Sequence, residues 1–180
     1  DGWIDHWPDP PRGVTSATVN AGVGSAEAGF DLWFVRSMRA DEELRAAALV
    51  LETVLRERLA DGLREEMGLS YRAGEVAIHI LEDPDALVEV HVRVSGDPTE
   101  IDYLHERAIA EIDDLVSNGP TSDEVDRARE VVLADLDFVT NHDLLERLIA
   151  WGRSGGRDQA TLTERYDRVV HLTDRALSEA

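Results

Sequence analysis

Histidine and carboxylate side chains are the residues from which a metal site could be built, because imidazole nitrogens and carboxylate oxygens are common zinc ligands. The segment HERAI begins like the zinc motif HExxH, but it has Ile109 where the second histidine should be. The segment HILED has Asp83 where the inverted motif HxxEH needs histidine, and on a strand His79 and Glu82 would point to opposite faces. Neither segment predicts a zinc site.

Two other histidine pairings leave alternatives open. His142 and Glu146 are four residues apart on a predicted helix and could share one face, but no third ligand is visible. An exposed helical pair is the more ordinary interpretation. His79 and His91 would be cross-strand neighbours in the hairpin predicted below, where such a pair either binds metal weakly or is hydrated or paired with acids. We therefore predict no metal site on this chain.

The amino-acid composition excludes several classes of chemistry. The 180 residues contain no cysteine, which excludes thiolate catalysis, disulfides and cysteine-ligated metals. All 18 basic residues are arginine, so Schiff-base and Walker lysines are excluded as well. The formal net charge of -20, with arginines interleaved among acids, excludes a nucleic-acid partner. No apolar run reaches the roughly 18 residues of a membrane span, so the sequence predicts no membrane partner.

The segment LREEMGLSY stands at the junction between a long predicted helix and the next predicted strand, and it contains Arg64, Gly68 and Tyr71. From spacing alone, Arg64 would be an ordinary cation near a helix C-terminus and Tyr71 an ordinary strand aromatic. The segment resembles the Leu-Arg-x-x-x-Gly-Leu-x-Tyr signature of carboxyl-terminal domains in the pitrilysin/insulinase family of zinc metallopeptidases. GPTSDEVDRA and LTERYDRVVHLTDRAL resemble later segments of those domains, so the resemblance spans about residues 14 to 180.

The resemblance implies a division of labour between two similar halves that enclose a chamber. The amino-terminal half carries HxxEH with a distal glutamate and holds the zinc, and the other half contributes an arginine and a tyrosine, matched here by Arg64 and Tyr71. This chain would then be the substrate-binding half, inactive alone, with no cofactor of its own, a fused or separate catalytic half as partner and a peptide as substrate. The alternative is a catalytically silent structural or peptide-recognition subunit.

Alternating apolar residues predict a β-hairpin after the signature. Val76, Ile78 and Ile80 alternate with other residues, and the run from Val88 to Val94 does the same. With the loop centred near Asp85, residue 80 would pair with 90, residue 78 with 92 and residue 76 with 94, so that the apolar faces coincide. The earlier runs VTSATVNAG and GFDLWFVRSM predict two more strands, joined by a loop.

Helical spacing of apolar residues predicts the elements that cover these strands. The longest helix has Asp41 as its N-cap and Gly68 as its stop signal. A second helix is predicted over residues 99–118. Strands followed by helices predict an α+β fold of two layers, in which a largely antiparallel sheet is covered by helices on one face.

Three further helices are predicted in the last third of the chain. Thr121 and Glu124 form a capping box at the start of one, and Thr161 with Glu164 is predicted to cap the last. The segment DLLERLIAW predicts a short helix between them.

Residues 1–13 contain three prolines and two of the four tryptophans, which indicates a linker or connector, and residues 14–180 are predicted to form one domain. The sequence begins with Asp1 and not with methionine, so we expect a fragment. It shows no charged-then-apolar leader, and on this basis we predict a cytoplasmic location.

Overall fold

The chain folds into an antiparallel sheet with helices packed against it. The computed structural model describes residues 13–19, 28–67, 72–81, 86–137 and 159–172. In these ranges no helix combines the length and the apolar character needed to cross a membrane. The strands and helices are, in chain order, β1 (Ala28–Ser37), α1 (Glu42–Met67), β2 (Arg72–Leu81), β3 (Leu87–Gly96), α2 (Ile101–Asn118), α3 (Ser122–Asp137) and α4 (Gln159–His171).

The three described strands form one sheet in the order β1-β3-β2, and both neighbouring pairs are antiparallel. In the hairpin, Ile78 lies opposite Val90 and Ile80 lies opposite Val88. The predicted register, with residue 78 opposite 92, is therefore wrong by two residues. A shift of two keeps every side chain on its face, so the hydrophobic pattern fits both registers and only the turn can separate them. The turn residues 82–85 lie outside the described part of the chain.

The apolar face of the hairpin lies against the helices, as predicted. Val92 and Val94 are fully buried there, and Val76 is also buried. They belong to a hydrophobic cluster that includes side chains of α1 and α2. His79 and Arg93 are exposed on the opposite face, which we call the open face. The predicted two-layer α+β fold, with helices against one face of the sheet, is confirmed.

Helix α1 begins directly after its predicted N-cap. The Asp41 carboxylate accepts a hydrogen bond from the backbone N–H of Leu44 at 2.8 Å. It thereby satisfies one of the free N–H groups of the first turn and places negative charge at the positive end of the helix dipole. The helix ends at Met67, next to the predicted stop at Gly68, which lies outside the described residues.

Helix α1 contributes to two hydrophobic clusters. Around Val50 and Val54, its first half packs against α3 and α4. Around Leu55, Leu59 and Leu63, its second half packs against the sheet and α2. The helix therefore joins the helical part of the molecule to the sheet.

A tight turn connects α2 to α3. Gly119 has a φ of 71°, in the left-handed region that favours glycine, and its N–H donates to the carbonyl of Leu115 at 2.9 Å. The predicted capping box is present. The Thr121 N–H donates to the Glu124 carboxylate at 2.7 Å, and the Glu124 N–H donates to the Thr121 hydroxyl at 3.3 Å.

Arg58 ties this turn to α1. Its Nε and Nη2 donate to the two carboxylate oxygens of Glu124 at 2.6 and 2.9 Å. Its Nη1 donates to Asp114 at 2.7 Å, and its Nη2 also reaches the carbonyl of Gly119 at 3.2 Å. The hydrogen bond from Arg58 lowers the pKa of Glu124 to about 2, although partial burial acts in the opposite direction. One guanidinium thus holds α1, α2 and α3 together.

Two expectations about secondary structure are wrong. In the predicted strand over residues 14–22, the described part, residues 14–19, is not in a strand, and Val14 and Val19 are exposed. Helix α4 begins at Gln159, so Thr161 lies inside the helix and is not its cap. The Thr-x-x-Glu pattern is local and does not show where the preceding turn starts.

The helix predicted over DLLERLIAW, residues 143–151, lies outside the described residues.

Candidate functional site

The predicted substrate-binding residues, Arg64 and Tyr71, belong to the junction between α1 and β2. Position 64 is in the last turn of α1, and β2 begins at Arg72, directly after Tyr71. The side chain of Arg64 and the whole of Tyr71 lie outside the described residues. Their contact therefore stays a prediction, and the geometry of the site is given by the two elements on either side of it.

One hydrogen bond aligns α1 with β2. The backbone N–H of Ile78 donates to Oε2 of Glu52 at 3.1 Å. From Glu52 to position 64 the helix rises about 18 Å, at about 1.5 Å per residue. An antiparallel strand covers the same distance in about five or six residues, at about 3.3 Å each. Side by side and antiparallel, the two elements would place position 64 level with the first residues of β2, near Arg72.

The first residues of β2 are irregular. Arg72 pairs with Ser95 and Glu75 pairs with Arg93, so two residues of β2 lie opposite the single residue Val94 of β3. An extra residue of this kind is a β-bulge, which increases twist and changes the direction of nearby side chains. The alternation of β2 therefore cannot be extended from Val76 back to Tyr71 to assign the face on which the phenol lies.

The open face of the sheet carries a cluster of four side chains, Asp31 and Trp33 on β1 and His91 and Arg93 on β3. Nε2 of His91 lies 2.7 Å from Oδ1 of Asp31, and Nε of Arg93 donates to the same oxygen at 2.8 Å. The Trp33 indole stacks on the His91 ring, with centroids 3.8 Å apart and planes 12° apart. His91 is 8% exposed, whereas Trp33 is 54% exposed. We call these residues the open-face cluster.

The charge of Asp31 is set by opposing effects. Partial burial raises the pKa of this carboxyl group, but hydrogen bonds from His91 and Arg93 lower it more, so the net pKa is below its ordinary value. Asp31 is therefore ionised at neutral pH and can hold both partners. The cluster presents to solvent the Trp33 indole, the Arg93 guanidinium and the Asp31 carboxylate. Tryptophan and arginine are enriched in contacts between proteins.

The predicted pairing of His79 with His91 is wrong. His79 lies opposite Glu89 and His91 lies opposite Ala77, because the register differs from the predicted one by two residues. His91 has Asp31 of the neighbouring strand as its partner instead. The two histidines are thus not a cross-strand pair that could share a metal ion.

The other candidate metal ligands lie partly within the described residues and partly outside them. Among the side chains that the structure describes, no group of three or more histidine, aspartate or glutamate residues could hold a metal ion. His105, from the segment HERAI, makes an edge contact with the Phe30 ring at a centroid distance of 5.0 Å. His142 and Glu146 lie outside the described residues, so that pairing is not tested.

The open-face cluster is not evident from the sequence. Asp31 and His91 are 60 residues apart, and they meet only because β1 pairs with β3. Alternation along β1 does place Asp31 and Trp33 on one face, which is the signal that could have found them. That signal becomes useful only when the neighbouring strand is known.

Comparisons with known proteins identify the fold. No family model and no curated protein matches the sequence. Among solved structures, the peptidase M16 inactive domain from Pseudomonas fluorescens has a TM-score of 0.69 at 19% identity, over 86% of this chain and 37% of that one. The chain has the fold of a peptidase M16 domain.

Two more structures share this peptidase-domain fold. The periplasmic protease PqqL from Escherichia coli has a TM-score of 0.68 at 17% identity, over 86% of this chain and 17% of that one. The inactive peptidase domain of a proposed zinc protease from Bordetella parapertussis has a TM-score of 0.62 at 14% identity, over 86% of this chain and 85% of that one. The fold implied by the resemblance to the pitrilysin/insulinase family is confirmed. The chain spans only 17% of PqqL and 37% of the Pseudomonas protein.

The predicted cytoplasmic location is wrong. PqqL, which shares the peptidase-domain fold, is a periplasmic protease, and this points away from the cytoplasm. The prediction depended on the absence of a leader-like segment from the sequence, and such an absence does not define a compartment.

Proposed function

We propose that the chain is the non-catalytic, substrate-binding half of a zinc-dependent endopeptidase. In this role it binds a peptide and supplies Arg64 and Tyr71 to the active site of a partner half. The partner, either fused to this chain or separate from it, carries the zinc and the residues that activate water.

The observation that carries the proposal is the fold. Two of the similar structures are described as inactive peptidase domains, and each matches 86% of this chain. A shared fold does not by itself imply a shared function, so the finer part of the proposal depends on particular residues. These are the residues of LREEMGLSY, which form the end of α1 and the approach to β2.

Arg64 and Tyr71 would act by hydrogen bonding. A guanidinium presents several donors in a fixed plane, so Arg64 can bind a peptide carbonyl or carboxylate. A phenol can donate to the oxyanion that develops during attack on the peptide bond, which is the role we assign to Tyr71. The chain order supports their cooperation, because α1 ends at Met67 and β2 begins at Arg72, so a short connection joins the last turn of the helix to the start of the strand.

Zinc belongs to the partner half in this proposal. The sequence has no HxxEH motif, and the described residues do not provide a set of three ligands, so the described part of this chain does not fit a zinc site. When bound in the partner, zinc supplies a Lewis acid and an activated water. This chain binds and orients the peptide and donates hydrogen bonds to it.

The isolated chain is expected to hold no stoichiometric zinc and to cleave no peptide, because its sequence has no HxxEH motif and its described residues supply no three-ligand site for a metal-activated water. The measurements are metal analysis after dialysis and a peptide hydrolysis assay with and without a chelator. One tightly held zinc per chain, together with hydrolysis that is lost on chelation, would contradict the non-catalytic role.

A catalytically silent structural or peptide-recognition subunit is the second candidate function. The same observation favours it, since domains described as inactive have this fold. The two candidates differ in the partner that they require. An HxxEH motif with a downstream glutamate, in the same protein or in one encoded beside it, supports the peptidase half, and its absence from both supports the silent subunit.

A further inference from the structure

The outer edge of β2 is a surface that could pair with another strand. In the described sheet, β2 pairs with β3 on one side, and no described strand pairs with its other side. An edge strand presents unpaired N–H and C=O groups, which can form a ladder with a strand of another molecule. Features that prevent such pairing therefore bear on whether two copies of the chain associate through β2.

Glu52 occupies the middle of this edge. The N–H of Ile78 donates to Oε2 of Glu52 at 3.1 Å and so points away from β3. Backbone groups alternate in direction along an antiparallel strand, so the groups of Val76 and Ile80 also point outward. Of these three outward-facing donors, the central one is bound by a carboxylate of α1.

Arg56 pairs with the other oxygen of the Glu52 carboxylate. Nη2 of Arg56 donates to Oε1 of Glu52 at 3.0 Å, while Oε2 binds the strand. Each carboxylate oxygen therefore has its own partner. The contact with Arg56 therefore leaves Oε2 available for the Ile78 N–H.

The edge of β2 is complementary to itself. If two copies aligned antiparallel about Ile78, each Val76 would lie opposite Ile80 of the other copy, and the apolar face of the sheet would continue across the junction. Each Ile78 would also exchange its N–H and C=O with its counterpart. Glu52 opposes this arrangement because its Oε2 already accepts the hydrogen bond from the Ile78 N–H.

We infer that Glu52 prevents antiparallel pairing of the β2 edge with the β2 edge of a second copy of this chain. Charged side chains placed at sheet edges are a general means of preventing such association. The inference does not depend on the proposed peptidase role, because it concerns the backbone of β2 and the side chain of Glu52.

The test compares the oligomeric state of three variants with that of the wild-type chain. Glu52→Ala removes the carboxylate and keeps a good helix former in α1, so the fold should be retained. It is expected to double the mass measured by light scattering, relative to wild type at the same concentration. Hydrogen exchange of the Ile78 amide should then become slower as the protein concentration rises.

Two control variants separate the loss of the hydrogen bond between Ile78 and Glu52 from the loss of charge and of the ion pair. Glu52→Gln keeps an oxygen that can accept from Ile78, and Arg56→Ala removes the ion pair but leaves the carboxylate, so both should keep the wild-type mass. An unchanged mass for Glu52→Ala would overturn the inference. A doubled mass for Glu52→Gln or Arg56→Ala would overturn it as well, because the acceptor at the β2 edge would still be present.

Discussion

Replacing Tyr71 with phenylalanine is expected to lower kcat/KM of the reconstituted two-half peptidase by about 10- to 1000-fold, which corresponds to about 1.4 to 4 kcal/mol of transition-state stabilisation. The substitution removes one hydroxyl, and with it the hydrogen bond to the oxyanion. Arg64→Ala should produce a loss in the same range, because the guanidinium no longer binds the peptide. Steady-state kinetics with one peptide substrate, assayed for each variant beside wild type, measures both effects.

Matched substitutions control for general effects on folding. Tyr103→Phe removes a phenol hydroxyl from an exposed side chain of α2, and Arg56→Ala removes a guanidinium two turns before Arg64 on the same helix. Both controls should keep wild-type turnover. Tyr71→Phe should also keep the wild-type melting temperature, which separates a catalytic donor from a packing residue. Full turnover in both site variants would contradict the assisting role and leave the silent subunit.

Arg58→Ala is expected to lower the free energy of unfolding by about 2 to 4 kcal/mol, because it breaks charged hydrogen bonds and leaves a partly buried carboxylate without its main partner. The Arg58 side chain is 11% exposed and that of Glu124 is 17% exposed, so water replaces the lost bonds poorly. Urea denaturation followed by circular dichroism measures the change. Arg56→Ala, which removes an exposed ion pair, should cost less than about 1 kcal/mol. Equal losses of unfolding free energy in Arg58→Ala and Arg56→Ala would show that Arg58 stabilises the fold no more than an exposed ion pair does.

The contact between Arg58 and Glu124 also predicts how the free energy of unfolding depends on pH. The pKa of Glu124 is lowered from an ordinary 4.5 to about 2 in the folded chain, so its contribution is present above about pH 4.5 and is lost as the pH falls toward 2. Glu124→Gln lacks this contribution. The difference in unfolding free energy between wild type and Glu124→Gln should therefore decrease between pH 5 and pH 2. A difference that stays constant over this range would contradict the lowered pKa.

Features set by neighbours in sequence could be predicted. The Asp41 cap and the Thr121–Glu124 box each join residues three apart, and both are present. The alternation of β2 and β3 assigned the apolar face correctly because that assignment needs only a period of two. The register was missed by two residues because a shift of two leaves the same face buried.

Features that join distant parts of the chain could not be predicted. Arg58 meets Glu124 across 66 residues, and Asp31 meets His91 across 60. Nothing in the local pattern of an arginine on an amphipathic helix identifies which acid it will meet. The residues of the candidate site, in contrast, are close together in the sequence. Arg64 and Tyr71 are predicted from a local signature, and the kinetic test decides whether they assist catalysis.

Helix α1 is 26 residues long, which at about 1.5 Å per residue makes an unbroken rod of about 39 Å. Because one end is embedded in the cluster with α3 and α4 and the other in the cluster with the sheet, the two clusters cannot melt independently without breaking the rod. We therefore expect them to unfold as one cooperative unit. A force or displacement that a neighbouring domain applies to the α4 end would be carried along the helix axis. It would reach both the turn that holds Arg64 and the sheet, because the second half of the helix packs against the sheet.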